Sequence, residues 1–248
     1  MPHDGPPHGE PSPLAVVLAL TTVAGFLDAF SLSALTGTFI ANQTGNTVLI
    51  GVAIADGALS DLWPPLVATG AFVAGALASR LLVGSAELPR RRVRLLAVET
   101  VLVAVYLVAA LASVGMSAVR ATGGSLLVLV FLSSAAMGVQ TAVVTHARGA
   151  GVSTTFTSGM LAEIGHLVGS LSAVRPGERR TPELRASIVG SAIVTYIAGA
   201  ALGGLGAQHG TLWLAGSLVV LVVLLVEEWF AARPRSTGGR ETTPAATR

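Results

Sequence analysis

The 248-residue chain has no cysteine, so no disulfide, zinc–thiolate centre or cysteine nucleophile is available to it. It also has no lysine: all 15 positions of the Lys/Arg class are arginine, which reads as a compositional habit of the source. Charge is scarce, at 11% of residues with a net charge of +2, where a soluble domain carries about 25% charged residues. The arginines lie beside apolar runs, so the positive balance is no nucleic-acid footprint and no nucleic-acid partner is expected. No cofactor or metal motif stands out.

What remains is 52% hydrophobic, and it is collected in blocks: Leu14 to Leu35, Pro64 to Gly84, Leu95 to Met116, Ser125 to Thr145, Ala186 to Leu205 and Thr211 to Val226. Most reach the roughly 20 residues that a bilayer-spanning helix needs. A lipid bilayer is therefore the expected surroundings. The Pro- and Gly-rich residues 1–13 lack the positive start of a cleaved signal peptide and read as a disordered leader. Residues 232–248 read as a disordered tail. Between them lies one transmembrane domain, 14–231.

That domain repeats itself weakly. "GFLDA" (25–29) answers "GVQTA" (138–142), "TGNTVLIG" (44–51) answers "SGMLAEIG" (158–165), and "FVAGA" (72–76) answers "YIAGA" (196–200). The offsets are 113, 114 and 124, and the extra residues fall in the connector between Arg175 and Arg185. The halves are about 14–116 and 122–231. Segments 44–56 and 158–172 hold equivalent places, and whether they cross the membrane sets the topology.

Arginine placement arbitrates, because cytoplasmic loops are enriched in Lys and Arg. Six spans with both termini inside place 13 of the 15 arginines on the cytoplasmic side and leave only Arg120 clearly outside. Eight spans that keep Arg90–Arg94 inside put nine outside. The expectation is an all-α inner-membrane protein of six transmembrane helices, an inverted 3+3 repeat with two short re-entrant or half-membrane helices. Such a pair is the usual pointer to a permeation or binding site near the midplane.

The polar residues inside these runs are the candidate site. Asp28 lies about 5 Å from the centre of its span, counting about 1.5 Å per residue. A carboxylate there must be protonated, paired or facing water. It is either a solute contact and proton acceptor or a structural hydrogen-bonding group. Asn42, Gln43, Thr44, Gly45, Asn46 and Thr47 form an amide- and hydroxyl-rich start to a short helix, whose N-terminus favours an anion or polar solute. Alternatively they are a plain capped turn. The second half offers Thr155, Ser158 and Gly159 in the same place, and Gln140 and Thr141 opposite Asp28. Glu163 and His166 share a helix face and are proton-coupling candidates with Asp28, against a solvated pair. Glu99 completes the intramembrane polar set. Ala71, Gly75 and Ser79, and Thr195, Gly199 and Gly203, recur every four residues and read as packing stripes.

The run "GFLDAFSLSALTGTFIANQTGNTVLIG", with "GVQTAVVTHARGAGVSTTFTSGML" in the second half, resembles the YoaK family of bacterial membrane proteins, a domain family of unknown function. The resemblance implies a multi-helix inner-membrane protein and supplies no activity. Gly25, Asp28, Asn42, Thr44, Gly45 and Asn46 match its first motif, and Gly138, Gln140, Thr155, Ser158 and Gly159 its second; Met160 and Glu163 depart from it. A small-solute transporter or channel is the leading expectation. A non-catalytic membrane partner or assembly factor is the alternative, and a homo-oligomer is left open. An enzyme is not expected: "TFTSG" departs from the G-x-S-G of intramembrane serine proteases, and no His is well placed on a later span.

Overall fold

The structure is a computed structural model that describes residues 13–83, 88–117, 120–146, 157–171 and 180–233. The expected leader, the tail beyond Arg233 and the candidate Thr155 lie outside these residues. Among the described residues there is no strand. The helices are α1 (Pro13–Phe30), α2 (Gln43–Ala55), α3 (Leu59–Val83), α4 (Leu88–Val114), α5 (Gly123–His146), α6 (Thr157–Leu171), α7 (Arg180–His209) and α8 (Ala215–Ala231). Six segments are long and apolar enough to cross a membrane: 14–35, 59–82, 90–114, 123–144, 183–209 and 211–231. They coincide with the six apolar runs. α2 and α6, with 13 and 15 residues, extend about 20 and 22 Å and fall short of the roughly 30 Å of a hydrocarbon core.

Local chemistry sets the ends of α2. The Asn42 side chain accepts from the Gly45 N–H at 3.2 Å, an N-cap that satisfies one of the orphan donors of the first turn. The helix stops at Gly57, whose φ of +66° is left-handed, and the Ala58 N–H closes back on the Ala53 carbonyl at 2.9 Å. α3 begins almost at once. Its Pro64 and Pro65 have no N–H to give, so the carbonyls of Ser60 and Asp61 receive no bond from four residues on.

The long helices pair α1 on α7 and α3 on α5, while α4 lies against α5 and α8; α2 rests on α3, and α6 on α7. In lipid, apolar burial does not distinguish one helix from another, so close approach through small residues decides which helices meet. A Cβ on Gly25 of α1 would run into the backbone of Tyr196 and Ala200 on α7. A Cβ on Gly138 of α5 would meet Phe72 and Ala76 of α3. Gly199 presses on Thr22, and Gly75 on Ala135. These contacts match position for position under the offsets 113 and 124 read from the sequence. The small-residue stripes therefore pack helix against helix, with Gly203 closing on Phe26 as the last step of the α7 stripe.

α1 and α5 are buried over most of their surface, whereas α3, α4, α7 and α8 each leave an apolar face outward. Val73, Leu77, Val105, Val194, Ile197 and Val222 are among the large side chains on that outer surface. A patch of this extent needs an apolar surrounding, which a bilayer supplies.

Candidate functional site at the Asp28 loop

α1 does not end cleanly. Its last turn, Ser31–Leu35, widens into a π-helix, and the Thr36 N–H reaches the Ser31 carbonyl at 2.9 Å. Gly37 then takes φ +68°, a left-handed conformation that turns the chain back. Hydroxyls hold the reversal: Ser31 Oγ and Thr36 Oγ1 lie 2.6 Å apart, and both reach the Thr38 carbonyl. π-turns of this kind concentrate at functional sites.

The returning segment, residues 38–42, runs down beside α1 to the level of Asp28. There Oδ1 accepts from the N–H groups of Ile40 and Ala41, each at 2.7 Å, and Oδ2 accepts from the Asn42 N–H at 3.0 Å. The Tyr196 hydroxyl of α7 also donates to Oδ2, at 2.7 Å. Asp28 is buried, and four donors surround its carboxylate. Without it, three main-chain N–H groups would be left without an acceptor in the bundle interior, where each orphan costs about 1–3 kcal/mol.

The amides of the segment do related work. Asn46, fully buried, pairs with the main chain of Phe39: its Oδ1 accepts from the Phe39 N–H at 3.2 Å and its Nδ2 donates to the Phe39 carbonyl at 2.8 Å. Gln43 Nε2 donates to the Ile40 carbonyl, and its Oε1 accepts from Asn46 Nδ2 and from the Thr69 hydroxyl of α3. Gly45 has no side chain because the Phe39 ring fills that space. Of the first-motif candidates, Asp28, Asn42, Gly45 and Asn46 thus build the loop, while Thr44 on the first turn of α2 faces outward.

The other candidates scatter. Gln140 is buried on α5 and donates from Nε2 to the Leu20 carbonyl of α1 at 2.9 Å. The Thr141 hydroxyl turns back to the Met137 carbonyl of its own helix. Ser158 is exposed, Gly159 is half-buried, and His166 is exposed. Glu163, half-exposed, accepts from Arg185 Nε at 2.6 Å and ties α6 to α7.

Sequence reasoning passed over the Asp28 partner. Tyr196 occupies the place in "YIAGA" where the first half has Phe72, and Asp28 occupies the place where the second half has Thr141. The α1–α7 pair thus has the acid and the phenol together, and the matching α5–α3 pair, Thr141 and Phe72, has neither, which was the available signal.

Beside the reversal lies a cavity of about 740 Å³, lined by Thr36, Gly37 and Thr38, by Leu49 and Val52 of α2, by the first turns of α3 and by Arg120. The Arg120 guanidinium passes over Gly37. The Ser60 and Asp61 segment, whose carbonyls the two prolines leave without a helical partner, borders the same space. A cavity of this size admits a small ligand.

Residues 16–226 match the family described as "Protein of unknown function (DUF1275)". The chain belongs to this family. Among curated proteins it is 32% identical over 154 residues to the UPF0700 transmembrane protein YoaK of Bacillus subtilis (strain 168), a match covering 61% of this chain and 64% of that relative. No solved structure matches the chain. The family, the transmembrane relative and the six apolar helices together make this a multi-pass membrane protein of the DUF1275 family.

Proposed function

We propose that this DUF1275 protein passes a small, uncharged polar solute across the inner membrane, at a midplane site where the N-termini of α2 and α6 approach from opposite faces. The observation that carries the reading is the anchoring of residues 40–42 at Asp28, about two turns below the π-helical end at Leu35. It fits α2 as a half-membrane helix that starts at depth and runs back out. The matched glycine contacts support an inverted 3+3 repeat, which would give α6 the mirror-image course. The arginine bias supports cytoplasmic N- and C-termini, and on that reading the 740 Å³ cavity is a vestibule on the outer face.

The charge of the solute follows from Asp28. A helix start with free N–H groups attracts anions, but here the protein's own carboxylate already fills that position on the approach to α2. What remains accessible on the first turn is the hydroxyl-bearing Thr44, with Thr47 a turn further. That lining suits a neutral hydrogen-bonding solute.

The test uses proteoliposomes of the purified protein and light scattering after an osmotic step, with a panel of neutral polyols, amides and amino acids. At least one solute should enter faster than into empty vesicles. Because the native chain has no cysteine, Thr44→Cys then supplies a single thiol, and a thiol reagent should block that flux. If every solute equilibrates at the empty-vesicle rate, the transport reading falls; if flux survives complete labelling of Thr44→Cys, the site is elsewhere.

A further inference from the structure

Glu99 is the ionisable group whose surroundings the Asp28 site does not explain. It lies on α4, about three residues or 4.5 Å from the middle of the span 90–114 at about 1.5 Å per residue. It is fully buried, in a stripe with Leu95, Leu96, Val103, Tyr106 and Ala110 that faces the core. Neither carboxyl oxygen has a hydrogen-bond partner among the described residues.

Among the described residues its neighbourhood offers no counter-charge. The positions three and four residues away along α4 are Leu95, Leu96, Leu102 and Val103. Of the helices packed on α4, α5 has His146 at its far end as its only ionisable residue. α8 has Glu227 and Glu228 at its end, and Glu228 is taken by Arg92 at 2.9 Å. α3 has Asp61 and Arg80 near its two ends, and the short 3₁₀ segments 115–117 and 211–214 have none. Asp28 on α1 already has four donors. Tyr106, two turns along α4, is buried as well, and its hydroxyl has no hydrogen-bond partner among the described residues.

A bare carboxylate in such a place is strongly disfavoured, whereas the neutral acid only leaves a carbonyl and a hydroxyl underused. We propose that Glu99 is a membrane-embedded proton-binding site, occupied at neutral pH and exchanging its proton with bulk water as the helices around α4 move. The other proton-coupling candidates are less suited: Asp28 is saturated by donors, Glu163 is tied to Arg185, and His166 is exposed. The proposal does not depend on transport, since the proton can be read directly.

The experiment is infrared difference spectroscopy on the full-length protein in lipid films, comparing the native chain with Glu99→Gln at neutral pH in H₂O and D₂O. The expected difference is one protonated-carboxyl C=O band, present in the native protein, missing in the variant, and shifted after D₂O exchange. Should Glu99→Gln fail to accumulate, Glu99→Asp serves, because the aspartic acid carbonyl absorbs at a different frequency. A difference in carboxylate bands instead would show an ionised, partnered Glu99 and overturn the proposal. An acid band that never shifts in D₂O would mark a sealed structural acid, and one that sodium removes at constant pH would mark a cation site; either overturns it.

Discussion

The hydroxyl of Tyr196 on α7 donates to Oδ2 of Asp28 on α1 at 2.7 Å, joining residues 168 apart in the chain. Among the described residues it is the one donor to this carboxylate from outside residues 40–42. Tyr196→Phe removes a hydrogen bond to a charged group and should cost about 1.5–3 kcal/mol. Asp28→Asn should cost more, because an amide turns N–H against N–H at the main chain. Thermal unfolding in detergent should rank native above Tyr196→Phe above Asp28→Asn. The double variant should lose less than the sum; strict additivity would mean that the two side chains do not interact.

Asn42 and Asn46 look alike in sequence but differ in what they require of the residue. Asn42 uses only an acceptor oxygen as the N-cap, so Asn42→Ser should cost no more than about 0.5 kcal/mol. Asn46 uses donor and acceptor at once on Phe39. Asn46→Ser should therefore cost about 2 kcal/mol or more and should speed hydrogen exchange at Phe39. Equal losses for the two variants would contradict the geometry.

Two glycines of α3 separate close packing from helix propensity. Gly75 lies against the Ala135 backbone, while Gly70 has open space around it. Gly70→Ala should be neutral or stabilising by up to about 1 kcal/mol, and Gly75→Ala should lower the melting temperature. Gly25→Ala and Gly138→Ala should follow Gly75→Ala, since both meet backbone.

The two ion pairs also divide. Glu163 and Arg185 are each about a third exposed, at 33% and 32%, and Glu163→Gln should cost less than about 1 kcal/mol. Glu228 is 3% exposed and Arg92 16%. Glu228→Gln leaves a partly buried guanidinium without its partner and should cost about 3–5 kcal/mol. Melting temperatures of the two variants check this; a larger loss at Glu163 would reverse the assignment.

Orientation is testable on the cysteine-free background. Ser60→Cys and Gly177→Cys should be labelled by a membrane-impermeant thiol reagent from opposite faces of the membrane. Labelling of both from the outside would favour eight spans and remove the inverted arrangement.

What the sequence discloses follows from what leaves a local mark. The span 14–35 is legible because hydropathy is a property of consecutive residues, and α2 because Asn42 caps a short apolar run. The glycine contacts were half legible: Gly75 and Gly199 stand in periodic stripes, but only their match across the two halves hints at what they touch. The role of Asp28 was not legible, since three of its partners are main-chain N–H groups that any residue at 40–42 would supply. Asn46 is legible as part of an amide-rich helix start, but its pairing with the Phe39 main chain is not, because a buried amide records its need for partners and not who they are. Glu99 was visible as an acid in an apolar run; that nothing among the described residues answers it required the packing of α4 against α5 and α8.

The pairing of α1 with α7 also bears on the order in which the protein is made. The close-packed groove of α1 is filled by α7, which emerges from the ribosome more than 150 residues later. Until Tyr196, Gly199 and Gly203 are synthesised, Gly25 faces lipid or a chaperone in place of backbone. Translation halted after α6 would leave six of the eight helices of the described residues made and α1 still waiting for its partner.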